Sequence, residues 1–466
     1  MAGSRWASPL DSIFLMGETN ETLMHVASML HLSLPEDAGP EFLTDLVADL
    51  RSSPIESPWN LRLQTRMLMR QPVHRWVVDS EFDIDYHVRH SALPSPAGER
   101  ELGVLVSRLH SNPLDFRRPP WELHIVEGLS GNRFAAYIKI HHSLVDGYTG
   151  MRLLERGLSQ DPDDRDHPFF FSLGRRPRTP READPVGDFA SIVRGLASSV
   201  GTTPSVAKAL VETQLRRGST AARAVTSYQA PHSVLNSRVG QSRRFATQKY
   251  DLRRLRAISK ARGATLNDVL MALCAGGLRR FLTDLQQLPE RPLIAFIPVN
   301  VRPKESEGGG NAVGATLVSL ATDVEDPLVR LATIAASARA AKARMRGMSA
   351  EAVMAYSALL LAPAALQVGR AMSGLPVPVP TTLNVCISNV PGPKEALYWR
   401  GARLEATYPV SIPGHSMALN ITAHSYAGAL DIGFVGDRES LPHLQRLAVH
   451  TGEALDELEA AVSALR

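Results

Sequence analysis

The sequence has few cysteines, with only Cys274 and Cys386 among its 466 residues. The two lie far apart in the chain and in apolar stretches, so they predict neither a disulfide framework nor a thiolate metal site. Free thiols are typical of proteins in a reducing compartment. We therefore expect a cytoplasmic protein.

A strong excess of one charge sign is also missing. The chain has 51 Lys and Arg against 47 Asp and Glu, which gives a formal net charge of +4. This excess is too small to indicate a nucleic-acid partner. The 44% hydrophobic and 21% charged content is ordinary for a globular protein and excludes wholesale disorder.

Long hydrophobic runs are scarce. The most apolar stretch, residues 353–368, is interrupted by Ser357, Pro363 and Gln367. It is shorter than the roughly 20 residues that cross a bilayer, and the first residues lack the apolar core of a signal peptide. The sequence therefore predicts a soluble protein that can lie peripherally on a membrane.

Motifs of several other enzyme classes are absent as well. The sequence has no H-E-x-x-H zinc motif and no G-x-x-x-x-G-K-[ST] phosphate loop. Gly414-His415-Ser416 approaches the G-x-S-x-G elbow of serine hydrolases, but the last glycine is missing and the following residues alternate as in a strand. We therefore expect no metal and no cofactor, and we disfavour Ser416 as a nucleophile.

Two adjacent histidines mark the most informative stretch of the chain. Apolar and other residues alternate from Phe134 to Ile140, which is typical of a strand. His141 and His142 follow at its end, and Asp146-Gly147 indicates a turn. Since neighbouring strand residues point to opposite faces, one histidine should face a cavity and the other should be packed or hydrogen-bonded.

Other segments have clear patterns. We predict strands over residues 24–32 and 82–88, and a hairpin from residues 122–129 and 134–140. Thr265 or Asn267 is expected to cap a helix. A terminal helix is predicted from leucines and a valine at spacings of three and four: Leu444, Leu447, Leu455, Leu458, Val462 and Leu465.

The string His141-His142-Ser-Leu-Val-Asp146-Gly147 resembles the HHxxxDG signature of CoA-dependent acyltransferases. The block from Asn112 to Glu122 is similar to the PLDxxRPxWE block of bifunctional wax ester synthase/acyl-CoA:diacylglycerol acyltransferases, although Pro120 stands where that family often has Leu. Further similar blocks follow in the family's order: Leu266-Asn267-Asp268, Pro298-Val-Asn-Val-Arg302-Pro303 and Ser388-Asn-Val-Pro-Gly-Pro393. The resemblance covers nearly the whole chain.

The resemblance implies an α/β fold, an α+β sandwich of two chloramphenicol-acetyltransferase-like domains with the active-site channel at their interface. We expect an N-terminal domain at 1–160 that carries HHxxxDG, a linker with crossover helices at 161–244, and a C-terminal domain at 245–466. The linker helices are predicted at residues 188–200 and 205–217.

The resemblance also implies the reaction: transfer of a long-chain acyl group from acyl-CoA to a fatty alcohol or to diacylglycerol. It makes His142 the general base, with His141 as a positioning residue. Asp146 is expected to hold the loop, with Arg302 as a guessed partner, and Gly147 to permit the turn. Asn267 is expected to assist the oxyanion or orient the site, and Asp268 to support its helix.

Two alternatives remain open. One is a related acyltransferase with another acceptor or a carrier-protein donor, as in condensation domains; the other is a non-catalytic lipid-binding protein on storage droplets. Because both acceptors are insoluble in water, we expect peripheral contact with the inner face of the cell membrane or with lipid droplets. The sequence leaves open whether the protein is a monomer or a homodimer.

Overall fold

A computed structural model describes residues 4–7, 9–68, 71–145, 147–173, 225–300, 313–373 and 380–465. These ranges form a mixed α/β fold. The strands are β1 (Ser4–Trp6), β2 (His25–Ser33), β3 (Leu61–Leu68), β4 (Gln71–Val78), β5 (Val88–Ala92), β6 (Trp121–Leu129), β7 (Arg133–His141), β8 (Arg243–Asp251), β9 (Ile294–Asn300), β10 (Val313–Ser319), β11 (Val385–Pro391), β12 (Tyr398–Trp399), β13 (Ala402–Val410), β14 (Leu419–Tyr426) and β15 (Ala429–Asp437). The helices are α1 (Pro9–Gly17), α2 (Phe42–Ser52), α3 (Ile84–His87), α4 (Glu99–His110), α5 (Gly147–Arg156), α6 (Leu252–Arg262), α7 (Leu266–Asp284), α8 (Pro327–Met345), α9 (Ala350–Ser373) and α10 (Leu444–Ser463).

The first large sheet has the strand order β12-β13-β2-β7-β6-β5, and β7 lies near its centre. It pairs antiparallel with β2 and with β6, so the predicted hairpin is confirmed. Alternate side chains of β7 enter two separate hydrophobic clusters, as its period of two predicts. Phe134, Ala136, Ile138 and Ile140 join the cluster that contains Trp59, Trp121 and residues of α2 and α5.

The opposite face of β7 contributes Ala135 and Tyr137 to a second cluster. Leu102 and Val106 of α4 belong to this cluster, together with Phe245 of β8. Since β8 lies in the other large sheet, this cluster joins the two sheets.

The second large sheet has the order β10-β9-β11-β14-β15-β8. Residues of α6, α7, α8 and α10 pack with residues of this sheet in one large hydrophobic cluster. The predicted terminal helix is confirmed as α10, and its leucine stripe is buried up to Val462. Leu465 is the exception, because it lies beyond the helix and is exposed.

Strand β13 crosses from the C-terminal part of the chain into the first sheet. It pairs antiparallel with β2, and β12 pairs with β13. Asp431 of β15 accepts a hydrogen bond from the backbone N–H of Thr407 in β13 at 2.8 Å. The first sheet is thus completed by residues of the predicted C-terminal domain, which the sequence patterns did not indicate. The boundaries at residues 160 and 244 stay predictions.

Residues 82–88 were wrongly predicted as a strand. Asp83 instead accepts a hydrogen bond from the N–H of Asp85 and caps the short helix α3, and β5 begins only at Val88. His87 stacks on the indole of Trp121 and donates from Nδ1 to the Trp121 carbonyl at 2.8 Å. Packing on this aromatic group decides the local backbone against the alternating pattern. The helices predicted at 188–200 and 205–217 lie outside the described residues.

The most apolar segment belongs to a longer helix than its composition indicated. Helix α9 has 24 residues. In the ranges described, it contains one segment, Ala352–Met372, that is long and apolar enough by length and composition to cross a membrane. The apolar segment is therefore longer than the predicted 353–368, and its length does not exclude a membrane span. About two fifths of it is buried within the protein (41%).

Candidate active site

Backbone hydrogen bonds fix both histidines at the end of β7. The N–H of His141 donates to the carbonyl of Pro120, which precedes β6, at 2.9 Å. The N–H of His142 donates to the carbonyl of Met24, which precedes β2, also at 2.9 Å. The pair is therefore held between the two strands that flank β7. Pro120 contributes through its carbonyl, so its difference from the family's usual Leu does not remove this bond.

His141 is the packed member of the pair, with only 1% of its surface exposed. The backbone N–H of Ser143 donates to its Nδ1 at 3.2 Å, and the hydroxyl of Ser143 lies 2.6 Å from the same atom. Because a backbone N–H can only donate, Nδ1 accepts, and the proton of neutral His141 lies on Nε2. That nitrogen faces Oε2 of Glu18 at 3.5 Å.

Glu18 connects the two histidines indirectly. Its carboxylate accepts a hydrogen bond from the N–H of Met24. The carbonyl of Met24 in turn accepts from the N–H of His142. The segment after α1 therefore positions the side chain of His141 and the backbone of His142 together.

His142 is half-buried and has a different neighbour. The ring of Phe14 in α1 stacks on its imidazole, with centroids 4.0 Å apart and an interplanar angle of 17°. An edge contact from Phe116 reaches His141 instead, at 4.8 Å between centroids. The two imidazoles thus have separate surroundings, and His142 is the more accessible of the two.

A buried ion network supports the strand beneath the histidines. Lys139 of β7 lies 3.2 Å from Glu122 of β6, and its ammonium donates to the carbonyls of Leu109 and Asn112 at 3.1 Å. Burial raises the pKa of Glu122, but the hydrogen bond from His124 and the charges of Lys139 and Arg89 outweigh it and lower the pKa to about 2. Burial lowers the pKa of Lys139. Glu122, the last residue of the PLDxxRPxWE block, is therefore structural.

The histidines behind this network are neutral. His25 pairs with His141 across β2 and β7, and one of its ring nitrogens lies 3.0 Å from the carbonyl of His110. His110 contacts the hydroxyl of Tyr137 at 2.8 Å. Burial lowers the pKa of His110 to about 3 and also lowers that of His25. His142 therefore has no charged histidine in this buried group behind it.

The structure describes only some of the other predicted site residues. Asp146 and Arg302 lie outside the described residues, and Gly147 begins α5. Asp268 closes a capping box with Thr265 at the start of α7: the N–H of Thr265 donates to Asp268 at 2.8 Å, and Thr265 accepts from the N–H of Asp268 at 3.2 Å. Asn267 is half-buried in the same turn. This capping box is local, so it does not by itself connect α7 with the histidines.

Ser416 does not lie in a nucleophile elbow. It has a left-handed backbone with φ of 63°, and its N–H donates to the carbonyl of Ser237. Strand β14 begins three residues later, whereas an elbow requires a helix. In the portion of the chain that is described, no group of three or more His, Cys, Asp or Glu side chains could hold a metal ion.

Sequence reasoning missed Phe14, Glu18 and Met24, which contact the pair from a distant segment. The only available signal was indirect. Residues 9–11 lie inside the region of resemblance, so a role for α1 near the site could have been suspected, but no pattern singles out its phenylalanine or the glutamate after it.

The chain matches two family models. The model described as the wax ester synthase/diacylglycerol acyltransferase catalytic domain covers residues 7–270, and the one described as the WS/DGAT C-terminal domain covers residues 309–459. The chain belongs to the wax ester synthase/diacylglycerol acyltransferase family. It is therefore an acyltransferase.

Similar proteins span the same length. A Mycobacterium tuberculosis protein named as a diacylglycerol O-acyltransferase is 51% identical over 98% of both chains. The solved wax ester synthase/diacylglycerol acyltransferase of Marinobacter aquaeolei VT8 is 38% identical, with a TM-score of 0.78 over 98% of this chain and 99% of that one. The first condensation domain of the CDA synthetase is 16% identical, with a TM-score of 0.56 over 99% and 97%. This last likeness concerns the fold alone.

These findings confirm the predicted fold class and family. In this WS/DGAT chain the HHxxxDG string thus begins with one imidazole that is locked in a hydrogen-bonded position and one that is accessible. An accessible imidazole at a fixed strand end can accept and return a proton, which is the chemistry that acyl transfer to a hydroxyl requires.

Proposed function

We propose that the protein transfers a long-chain acyl group from acyl-CoA to the hydroxyl of a fatty alcohol or of diacylglycerol, with His142 as the general base. One observation carries the assignment of the base. His141 is buried between Ser143 and Glu18, whereas His142 is half-buried with the ring of Phe14 stacked on its imidazole. The second imidazole is therefore the more accessible of the two to a substrate.

The reaction needs no covalent enzyme intermediate, because a thioester is already activated. His142 takes the hydroxyl proton while the alcohol oxygen forms a bond with the thioester carbon. The C–S bond then breaks, and the imidazolium of His142 returns the proton to the departing CoA sulfur. Acyl-CoA is a substrate in this scheme, and no cofactor or metal takes part.

The remaining residues have supporting roles in the proposal. Asp146 holds the loop after the histidines, with Arg302 as its partner, and Gly147 allows the chain to turn into α5. Asn267 stabilises the oxyanion or orients the site. The support for these roles is the resemblance of their motifs to those of the family.

We also propose a location, on chemical grounds. Fatty alcohols and diacylglycerols reside in membranes and lipid droplets, so a cytoplasmic enzyme that uses them must reach that interface. We therefore place the protein at the inner face of the cell membrane or at lipid droplets, by peripheral contact.

The test is CoA thiol release by the purified protein with palmitoyl-CoA and either hexadecanol or dioleoylglycerol. Replacement His142→Ala should lower the acceptor-dependent rate by about 10²–10⁴, the usual contribution of a positioned general base. His141→Ala is a matched neighbour, and thermal melting of both variants controls for folding.

Near-normal turnover in folded His142→Ala would refute the base. Wild-type protein that releases CoA with neither acceptor would refute the proposed reaction. Release only from an acyl carrier protein would favour a condensation-like donor, and lipid binding without turnover would favour a binding protein.

A further inference from the structure

Helix α9 buries one face of its first half against the edge of the second sheet. Tyr356 and Leu360 belong to a buried cluster there. The hydroxyl of Ser357 accepts from the N–H of Ala315 in β10 at 2.8 Å and lies 3.2 Å from the carbonyl of the same residue. Since β10 is an edge strand of the second sheet, α9 covers that edge.

The second half of α9 presents an apolar face to solvent. Leu366, Val368 and Met372 are 63%, 36% and 51% exposed. Ala362 and Gly369 are also exposed, so residues 362, 366, 369 and 372 form one stripe at spacings of four and three. We call the five exposed residues Ala362, Leu366, Val368, Gly369 and Met372 the α9 face. None of them is charged or polar.

Such a stripe is uncommon on a soluble surface. Single exposed apolar side chains are normal, and Val104 of α4 and Val449 of α10 are examples. A contiguous apolar patch is typical of an interaction site instead. We therefore expect the α9 face to bind a partner with an apolar interior.

The charge of the adjoining helix and connection indicates what that partner is. Residues 327–373, which comprise α8, α9 and their short connection, contain six Arg or Lys and one acidic residue, Glu351. Three of the cations, Arg339, Lys342 and Arg346, are exposed near the end of α8. Helix α8 is tied to the same edge strand, because Ser337 accepts from the N–H of Ser319 at 3.0 Å. Two consecutive helices on the same edge strand thus carry an apolar face and a basic end, and we call them the helical pair.

We propose that this helical pair docks the protein on an anionic phospholipid surface. The α9 face enters the acyl boundary, and the basic end of α8 contacts the headgroups. The inference deepens the proposed function and rests on its peripheral location, because the acceptor must be drawn from a lipid phase.

Docking along the surface fits the structure better than crossing the membrane. A spanning α9 would have to withdraw Tyr356, Ser357 and Leu360 from their buried contacts with the sheet. Docking leaves these contacts intact and uses only side chains that are already exposed.

The first experiment is co-sedimentation of the full-length protein with phosphatidylcholine vesicles, with and without phosphatidylglycerol. The double variant Leu366→Asp/Met372→Asp should lower partitioning by about tenfold or more, because it places two charges at the apolar boundary. The variant Arg339→Gln/Lys342→Gln/Arg346→Gln should lose the preference for anionic vesicles and its salt dependence. Val449→Asp is the matched control and should bind as the wild type does.

If the double variant binds vesicles as strongly as the wild type does, the proposal is overturned. Equal binding of the wild type to vesicles with and without phosphatidylglycerol would also overturn it. Light scattering after size exclusion tests the competing occupant. A wild-type dimer that Leu366→Asp converts to a monomer would show that a second copy covers the α9 face, and would also overturn it.

A paired assay separates this proposal from the acyltransferase assignment. With a short, water-soluble alcohol, the double variant should turn over palmitoyl-CoA at the wild-type rate, whereas turnover of dioleoylglycerol in anionic vesicles should fall with binding. Equal losses with both acceptors would contradict a docking role. If the double variant loses vesicle binding while His142→Ala keeps wild-type activity, the proposed base is refuted and the docking surface is supported.

Discussion

At the scale of the residue, the end of a strand divides two adjacent histidines. His141 is still part of the ladder and pairs with His25 across β2. His142 is the first residue of the turn. Its N–H donates to the carbonyl of Met24, and the ring of Phe14 stacks on its imidazole. Identical side chains therefore differ in access because β7 stops between them.

Phe14 should influence catalysis through the orientation of the imidazole. Aromatic contacts of this kind are worth about 0.5–1.5 kcal/mol, so Phe14→Leu should lower kcat by roughly 2- to 10-fold. The KM for acyl-CoA should not change, and Phe14→Tyr should restore the rate. Steady-state kinetics measure both quantities. Wild-type kcat in a folded Phe14→Leu protein would contradict a positioning role.

At the scale of the element, end groups determine where the helices begin. Helix α7 starts at a capping box formed by Thr265 and Asp268. Helix α8 is capped by Asp326, whose carboxylate accepts from the N–H groups of Leu328 and Val329. These caps satisfy backbone donors that have no partner within the helix.

Thr265→Ala should therefore reduce stability more than activity. Loss of an N-cap hydroxyl costs about 0.5–2 kcal/mol, which chemical denaturation can measure. We expect CoA release per folded molecule to stay at the wild-type level. Asn267→Ala is the matched comparison, since a residue that assists the oxyanion should lose activity with little change in stability. A large loss of turnover in folded Thr265→Ala would argue that the cap itself orients the site.

At the scale of the whole molecule, β13 holds the two large sheets together. It lies in the first sheet, and its Thr407 donates to Asp431 of the second. Asp431 is fully buried and pairs across its strand neighbours with His424 and Lys249. Burial raises the pKa of Asp431 to about 7, against the hydrogen bond from Thr407 and the charge of Lys249, which lower it.

This carboxyl should make stability depend on pH. Because its folded pKa lies above the unfolded value, the folded state binds more protons between about pH 4 and 7. Its contribution is therefore complete below the unfolded pKa and is lost as the pH rises through about 7.

Asp431→Asn keeps an acceptor for Thr407 but cannot ionise. Its stability relative to the wild type should be greater at about pH 8 than at about pH 5, by at most about 3 kcal/mol in free energy of unfolding, because about two pH units of that window lie below the folded pKa. Thermal melts of both proteins at the two pH values provide the measurement. A difference that stays constant with pH would show that Asp431 does not titrate in this range.

The sequence by itself determined the elements whose pattern is local. The alternation of residues 134–140 predicted β7, and the spacing of leucines predicted α10. The two candidate caps, Thr265 and Asn267, predicted the start of α7, and the structure shows that Thr265 is the cap. In each case the information lies within a few turns or strand positions, since backbone hydrogen bonds and amphipathic faces follow sequence spacing. The motifs also placed the chain in its family.

Only the tertiary structure decided which of these segments meet. It brought Phe14 and Glu18 to the histidines, carried β13 into the first sheet, and changed residues 82–88 from the expected strand into a helix and the start of β5. These outcomes depend on side chains more than a hundred residues apart, or on packing against Trp121. Local patterns cannot predict these contacts, because the free energy of each contact depends on residues from two segments that are distant in the sequence.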